Sequence, residues 1–206
     1  MDEPATWTST THDWSMTVDH EHLRLIRDHA GHFAPTGVQH LVLEVLAYAN
    51  DEAEALGRRV HCTVTSHGDG SVSVADDGRG TDTRRGKDGL IVRKPVMATR
   101  DLRFFDRRTA VLPDGHVRRG MSVVAALSAW LEHTNHRVDG AWTQRYEHGV
   151  PVADLAKVPA STRTGTTVRF CPDPKLVAAA TVDQTLAAAF PWLAVTTAGG
   201  SARSSC

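Results

Sequence analysis

The sequence lacks an excess of positive charge and lacks closely paired cysteines. Among its 206 residues, 23 Lys and Arg are balanced by 24 Asp and Glu, which leaves a net charge of −1. A chain with this balance has no general attraction to the nucleic-acid backbone, so we do not expect direct DNA binding. Its three cysteines are widely separated and form no CxxC pair, which argues against a zinc site.

The sequence also lacks a long apolar run. No stretch approaches the roughly 18 apolar residues that a membrane-spanning helix requires. The first residues, MDEPATWTSTTHDW, are acidic and polar, whereas a signal peptide begins with basic residues and continues with apolar ones. We therefore predict a cytoplasmic protein that does not associate with a membrane.

The length and the hydrophobic patterns predict one α+β domain with irregular ends. Residues 1–18 are rich in Thr, Asp and Ser, which indicates a flexible arm, and residues 193–206 are predicted to be a disordered tail. Between them, residues 19–192 alternate helical with strand patterns, which predicts helices over an antiparallel or mixed sheet. The segment 81–119 is rich in Arg and Lys and weakly periodic, so we interpret it as a mobile covering loop, or lid.

The strongest helical pattern covers residues 36–57. Apolar residues recur at steps of three and four, Thr36 and Gln39 match a capping box, and Gly57 is well placed to end the helix. At about 100° per residue, Glu44 and Tyr48 lie on one flank of the apolar stripe. We therefore expect Glu44 to face a cleft at the edge of the core.

A predicted hairpin ends in two adjacent carboxylates. Residues 71–74 alternate serine with valine, which indicates a half-buried strand, and Asp76 and Asp77 stand where this strand stops. Gly78 and Gly80 follow directly. Glycines at this spacing allow a backbone to pass close to a ligand.

Five blocks of sequence together resemble a known family. They are HLVLEVLAYANDEA (40–53), SVSVADDGRG (71–80), GMSVVAALS (120–128), YEHGVP (146–151) and TGTTVRF (164–170). In this order and spacing they resemble the ATP-binding domain of the DNA gyrase B subunit and of type II topoisomerases, within the wider family of Hsp90 chaperones, histidine kinases and MutL proteins. The resemblance implies a two-layer α/β sandwich, with a mixed sheet covered on one face by helices, that binds ATP.

The resemblance also implies roles for individual residues. Glu44 would be the general base that orients the attacking water. Asp76 would accept a hydrogen bond from the adenine amino group, partly through a water shared with Thr166. Arg79 would pair with Glu52, two valines would form an apolar wall and Gly120 would open a phosphate-facing helix. The residues that the resemblance implies for ATP binding are Tyr48, Glu52, Val74, Asp76, Gly78, Arg79, Gly80, Gly120, Thr166 and Val168.

The sequence departs from the family at the phosphate end. Tyr48 stands where the family has a magnesium-binding Asn, and a phenol is a poor ligand for Mg²⁺, so the metal prediction stays open. Arg118 replaces the middle glycine of the lid, where it would either strain the backbone or contribute charge to a phosphate. Thr143 replaces an arginine that in gyrase contacts aminocoumarin inhibitors, and Arg145, on the same strand face, would partly compensate.

Three hypotheses follow from these departures. The first is a gyrase B-like ATP-binding domain with weak or partner-dependent hydrolysis through Glu44, working with a topoisomerase subunit or as a homodimer. The second is a non-hydrolysing module that binds a nucleotide or an aminocoumarin-like gyrase inhibitor. The third and weakest is a regulatory kinase of the bacterial anti-sigma type. None of them makes this chain a topoisomerase by itself.

Overall fold

A computed structural model describes residues 18–80, 84–85, 91–92, 97, 110–159 and 161–199. Its helices are α1 (His20–Asp28), α2 (Ala30–Phe33), α3 (Val38–Ala55), α4 (Met121–Ala126) and α5 (Gln184–Ala187). Its strands are β1 (Val60–Ser66), β2 (Val72–Asp76), β3 (Arg84–Arg85), β4 (Ile91–Val92), β5 (Ser128–Arg137), β6 (Gly140–Glu147), β7 (Val150–Pro151), β8 (Ala156–Lys157), β9 (Gly165–Pro172) and β10 (Leu193–Gly199). None of the helices in these ranges has the length and hydropathy of a membrane span.

An eight-stranded mixed sheet forms one layer of the fold. Its strands follow the order β10-β1-β2-β9-β5-β6-β7, and β8 also pairs with β6. The β1–β10 pair is parallel and the other pairs are antiparallel. Alternate residues such as Val64, Val74 and Phe170 are buried in one core cluster with residues of α1, α3 and α4. The α+β sandwich predicted from the sequence is therefore confirmed.

Helix α3 positions the candidate site and ends as expected but begins differently. Gly57 has φ of +63°, and the Arg58 amide donates to the Ala53 carbonyl, which closes the helix as a glycine stop does. At the other end no side chain caps the helix. Thr36 donates instead to Asp114, and the Gln39 side chain accepts from the Asp183 amide. The capping box is therefore wrong, because tertiary partners recruit both side chains.

Two further expectations are wrong. The apolar run GMSVVAALSAWLEH (120–133) predicts one helix that begins after Gly120, but α4 ends at Ala126 and Ser128 already opens β5. Residues 193–199 were expected to be part of a disordered tail, but they form β10, paired in parallel with β1 from Val60↔Leu193 onward. Val195, Thr196 and Thr197 are of types that favour strands, but the segment is short, and the strand that it pairs with lies far away in the chain. The predicted arm (1–17), most of the predicted lid before residue 110, and the final residues 200–206 lie outside the described ranges.

Candidate functional site

Asp76 lies at the end of β2, next to the start of β9. Its Oδ1 accepts hydrogen bonds from the backbone amides of Gly78, at 2.9 Å, and Thr166, at 3.2 Å. Its second oxygen, Oδ2, has no hydrogen-bond partner among the residues that the structure describes. An amide of the loop after β2 and an amide of β9 thus hold one oxygen of the carboxylate, and the other oxygen can accept a further hydrogen bond.

The environment of Asp76 disfavours its charged form. Burial raises the pKa of Asp76 to about 6, although the Gly78 and Thr166 amides oppose this, and the nearby carboxylates of Asp77 and Glu52 add to the rise. A carboxylate that loses its hydration in this way gains more from a new hydrogen-bond donor than an exposed one does.

Glycines around Asp76 permit close backbone approaches. A Cβ on Gly165 would lie 1.9 Å from the Asp76 carbonyl oxygen, so β9 can meet the end of β2 only with glycine there. Gly80 has φ of +79°, and a Cβ there would lie 2.5 Å from Asn135 Oδ1 and 2.6 Å from the His136 carbonyl. Gly80 therefore packs against strand β5. The sequence did not predict this contact.

The other residues predicted on the adenine side lie close to Asp76 in the fold. Val74 and Val168 are paired across β2 and β9 and are 3% and 2% exposed, as expected for an apolar wall. Thr166 is buried and directly donates its amide to Asp76. Arg79 forms the expected ion pair with Glu52, and both side chains are partly exposed.

Glu44 is fully buried and faces the segment that leads into α4. Its Oε1 accepts from the Arg119 amide and its Oε2 from the Gly120 amide, the latter at 2.8 Å. Gly120 has φ of +98°, a conformation that favours glycine. The carboxylate of Glu44 therefore binds the amides that the family resemblance assigns to a nucleotide phosphate.

Arg118 makes a second contact between this segment and α3. Its Nη1 and Nη2 donate to the two oxygens of Asp51, at 2.9 and 2.8 Å, in a bidentate ion pair. The Arg118 side chain is 7% exposed, while the Asp51 side chain is 40% exposed. Arginine at this position thus points back onto α3, on the flank that also carries Glu44.

A third contact involves residues that sequence reasoning missed. Asp114 Oδ2 accepts from Thr36, at 2.8 Å, and bonds His40 Nδ1, at 2.7 Å, while His40 Nε2 lies 3.6 Å from Glu44. Burial by itself lowers the pKa of His40, but the nearby charge of Glu44, with the hydrogen bond and charge of Asp114, outweighs it and raises the pKa. Burial by itself raises the pKa of Asp114, but the hydrogen bonds from His40, Thr36 and the His116 amide, with the charge of His40, outweigh it and lower the pKa. The available signal was the position of His40 one helical turn before Glu44.

The residues near Tyr48 do not fit a magnesium site. Mg²⁺ requires several oxygen ligands in near-octahedral geometry. Both oxygens of Glu44 accept from backbone amides, both oxygens of Asp51 accept from Arg118, and Tyr48 offers only a phenol. Within the described ranges no group of His, Cys, Asp and Glu could hold a metal ion.

Thr143 and Arg145 lie on the other face of the sheet. Thr143 hydrogen-bonds Thr134 at 2.9 Å, and the Arg145 guanidinium lies 4.8 Å from the centroid of the Trp130 ring. The Arg169 guanidinium approaches the same ring, and on β9 Arg169 alternates with buried Val168. Strand alternation therefore separates both residues from Asp76. The predicted inhibitor-facing pair is not brought together with the adenine side.

Comparison with known proteins agrees with this geometry. The chain is 39% identical to the DNA gyrase B subunit of Thermotoga maritima over 142 residues, which are 67% of the chain and 22% of that protein. It is 39% identical over 141 residues to the DNA gyrase B subunit of Mycolicibacterium smegmatis, covering 68% of the chain and 21% of the relative. It is 35% identical over 147 residues to the DNA topoisomerase 4 B subunit of Bacillus subtilis, covering 70% and 22%. No model of a protein family matches the chain.

The fold and the relatives together define the class of this protein. It is an α+β sandwich of the type found in nucleotide-binding ATPase domains. More particularly, the chain carries a gyrase B-like domain, as the resemblance predicted. The matched region spans about a fifth of the length of these curated relatives, 21–22%.

Proposed function

We propose that residues 19–199 form a domain that binds adenine nucleotides through Asp76. The observation that carries this proposal is the state of the Asp76 carboxylate, because two backbone amides fix Oδ1 while Oδ2 accepts from no described residue. The amino group of adenine is a donor that matches Oδ2. Val74, Val168, Gly78, Gly80, Thr166 and the Glu52–Arg79 pair would surround the base.

Hydrolysis by Glu44 is the weaker part of the proposal. A general base must reach the attacking water, directly or through one other water. In this structure both oxygens of Glu44 are bonded to the Arg119 and Gly120 amides. Turnover would therefore require this segment to move away from α3, which is consistent with weak or partner-dependent hydrolysis. We propose that a topoisomerase subunit, or a second copy of the chain, provides that partner.

A non-hydrolysing nucleotide-binding module is the second candidate function. Two observations favour it. The side chains near Tyr48 do not fit magnesium, and both oxygens of Glu44 are bonded to backbone amides. The two candidates differ in one measurement, the steady-state release of phosphate with and without Mg²⁺. Hydrolysis above that of the Glu44→Ala variant supports the enzyme, whereas equal rates support the binding module.

The adenine proposal is tested by calorimetry with ADP, IDP and the Asp76→Asn variant. Because the Gly78 and Thr166 amides hold an acceptor oxygen, the introduced side-chain amide would place its NH₂ group where Oδ2 lies, opposite the adenine amino group. We expect ADP binding to weaken by about 1–3 kcal/mol. IDP carries a carbonyl in place of the adenine amino group. Its affinity should therefore fall less than that of ADP in the variant, or should rise. Unchanged ADP affinity in the variant would refute the assignment of the pocket.

A further inference from the structure

Arg118 is a buried cation with incomplete hydrogen bonding. The residue is 6% exposed, and its Nε finds no acceptor among the residues that the structure describes. A buried N–H group without an acceptor costs free energy, so such a group in a native protein requires an explanation. The ion pair with Asp51 satisfies only the two terminal nitrogens.

The surroundings of Arg118 already bind anions. The carboxylate of Glu44 accepts from the backbone amides of Arg119 and Gly120, which follow Arg118 directly, and Asp51 accepts from the guanidinium. Two carboxylates of α3 therefore lie beside one buried guanidinium and two aligned amides. These donors match the oxygens of a phosphate group, which arginine binds in the same bidentate way as a carboxylate.

The two partners of the ion pair differ in exposure. The Asp51 side chain is 40% exposed and the Arg118 side chain 7% exposed. A partly exposed carboxylate can rotate into water at small cost, whereas the guanidinium would remain buried and lose its partner. An incoming anion can thus replace Asp51 while Arg118 stays where it is.

We infer that Arg118 binds the phosphates of the adenine nucleotide and supplies the positive charge that a divalent metal ion would otherwise provide. This inference rests on the proposed function, because it takes Asp76 as the group that recognises the base. The carboxylates near Tyr48 are bonded to donors of the protein and do not fit Mg²⁺, whereas Arg118 brings a permanent cation to the same flank of α3. Nucleotide binding by this chain is therefore independent of magnesium.

The test is calorimetric titration of the full chain with ADP and with adenosine, in EDTA and in MgCl₂. The wild type should bind ADP more tightly than adenosine, with ADP affinities in EDTA and MgCl₂ within about twofold of each other. Arg118→Gln should weaken ADP by about tenfold or more and leave adenosine unchanged, since a charge-assisted hydrogen bond is lost. The control is Arg169→Gln, which changes an arginine on the opposite sheet face and should bind both ligands as the wild type does.

Asp51→Asn keeps the test decisive if Arg118→Gln fails to fold. This variant removes the charge that competes with phosphate for Arg118, so it should bind ADP more tightly by a few-fold and adenosine as before. A variant that merely loosens the structure would bind both ligands more weakly.

Three results would overturn the inference. They are a wild-type ADP affinity that rises tenfold with magnesium, an Arg118→Gln variant that binds ADP as the wild type does, and an Arg118→Gln variant that loses ADP and adenosine equally. Suppose that one of these results holds while the wild type binds adenosine and Asp76→Asn weakens that binding. Then the role of Arg118 is refuted and the proposed adenine site stands. If adenosine and ADP both fail to bind the wild type, the proposed function fails with it.

Discussion

The two ends of the candidate site differ in how their polar groups are satisfied. At the end around Asp76, the proposed adenine side, backbone amides hold Oδ1 of the carboxylate, while Oδ2 has no hydrogen-bond partner among the described residues. At the other end, the proposed phosphate side, Glu44 and Asp51 are already bonded to residues 118–120. The first end therefore presents an oxygen that can accept a hydrogen bond. At the second end, the donors of residues 118–120 are already occupied by the carboxylates of Glu44 and Asp51.

Under the proposed function, recognition of the base and handling of the phosphates have separate physical requirements. Base recognition needs one oriented carboxylate in a partly buried position, which the meeting of β2 and β9 provides. Phosphate handling needs donors that can change partners. Four predictions test this distinction, and they follow in decreasing order of the effect that we expect.

The largest effect is expected from Glu44→Ala on the phosphate side. Removing this buried carboxylate leaves the Arg119 and Gly120 amides without their acceptor, and each buried unsatisfied group costs about 1–3 kcal/mol. We expect the free energy of unfolding in urea to fall by about 2–4 kcal/mol. Glu54→Ala, at an exposed position of the same helix, should change it by less than about 0.5 kcal/mol. Equal stabilities of the two variants would show that Glu44 does not hold the segment before α4.

The opposite sign is expected from Asp76→Asn on the adenine side. Because the folded pKa of Asp76 is raised from 3.8 to about 6, the stability that protonation of Asp76 provides is fully present below about pH 4 and is lost as the pH rises through 6. Asparagine at this position carries no charge, so at pH 8 the variant should be more stable than the wild type by about 1–3 kcal/mol, a gain that disappears near pH 4. Urea unfolding at several pH values measures this. A variant that is less stable at pH 8 would contradict the burial of a charged Asp76.

A smaller effect is expected from uncoupling Arg118 from Asp51. The Asp51 side chain is 40% exposed, so solvent screens the pair and we expect a coupling of about 1 kcal/mol in a double-mutant cycle of Arg118→Gln and Asp51→Asn. The coupling should decrease when the salt concentration is raised from about 0.1 to about 1 M. A coupling that is insensitive to salt would show that burial and shape, rather than charge, hold this contact.

The smallest effect is expected at the Glu52–Arg79 ion pair. Both side chains are partly exposed, 26% and 36%, and pairs of this kind contribute about 0–1 kcal/mol. Glu52→Gln should therefore change the free energy of unfolding by less than about 0.5 kcal/mol. Calorimetry with adenosine is the second measurement, and the adenosine affinity of the variant should differ from that of the wild type by less than about threefold. A loss of adenosine binding as large as that of Asp76→Asn would mean that this pair, too, forms part of the recognition of the base.

The sequence could predict the features that depend on local patterns. The 3.6-residue periodicity identified α3, the alternation of residues 71–74 identified β2, and the ordered motifs placed Asp76, Gly78 and Thr166 together. Features that depend on distant partners were missed. Strand β10 pairs with β1 across most of the chain, and Thr36 bonds Asp114 instead of capping α3. Such partners are chosen by tertiary packing, which no local pattern encodes.

The central claim is that ionised Asp76 recognises adenine, and the affinity for adenosine as a function of pH tests it most directly. Adenosine has no phosphate, so its binding does not involve Arg118. Because the amides hold Oδ1, a proton on Asp76 would reside on Oδ2 and remove the acceptor. With a pKa of about 6, the affinity should be nearly constant above pH 7 and fall by about tenfold between pH 7 and pH 5, with no such fall in Asp76→Asn. An adenosine affinity that is the same at pH 5 and pH 7, or that falls equally in the variant, would contradict the account.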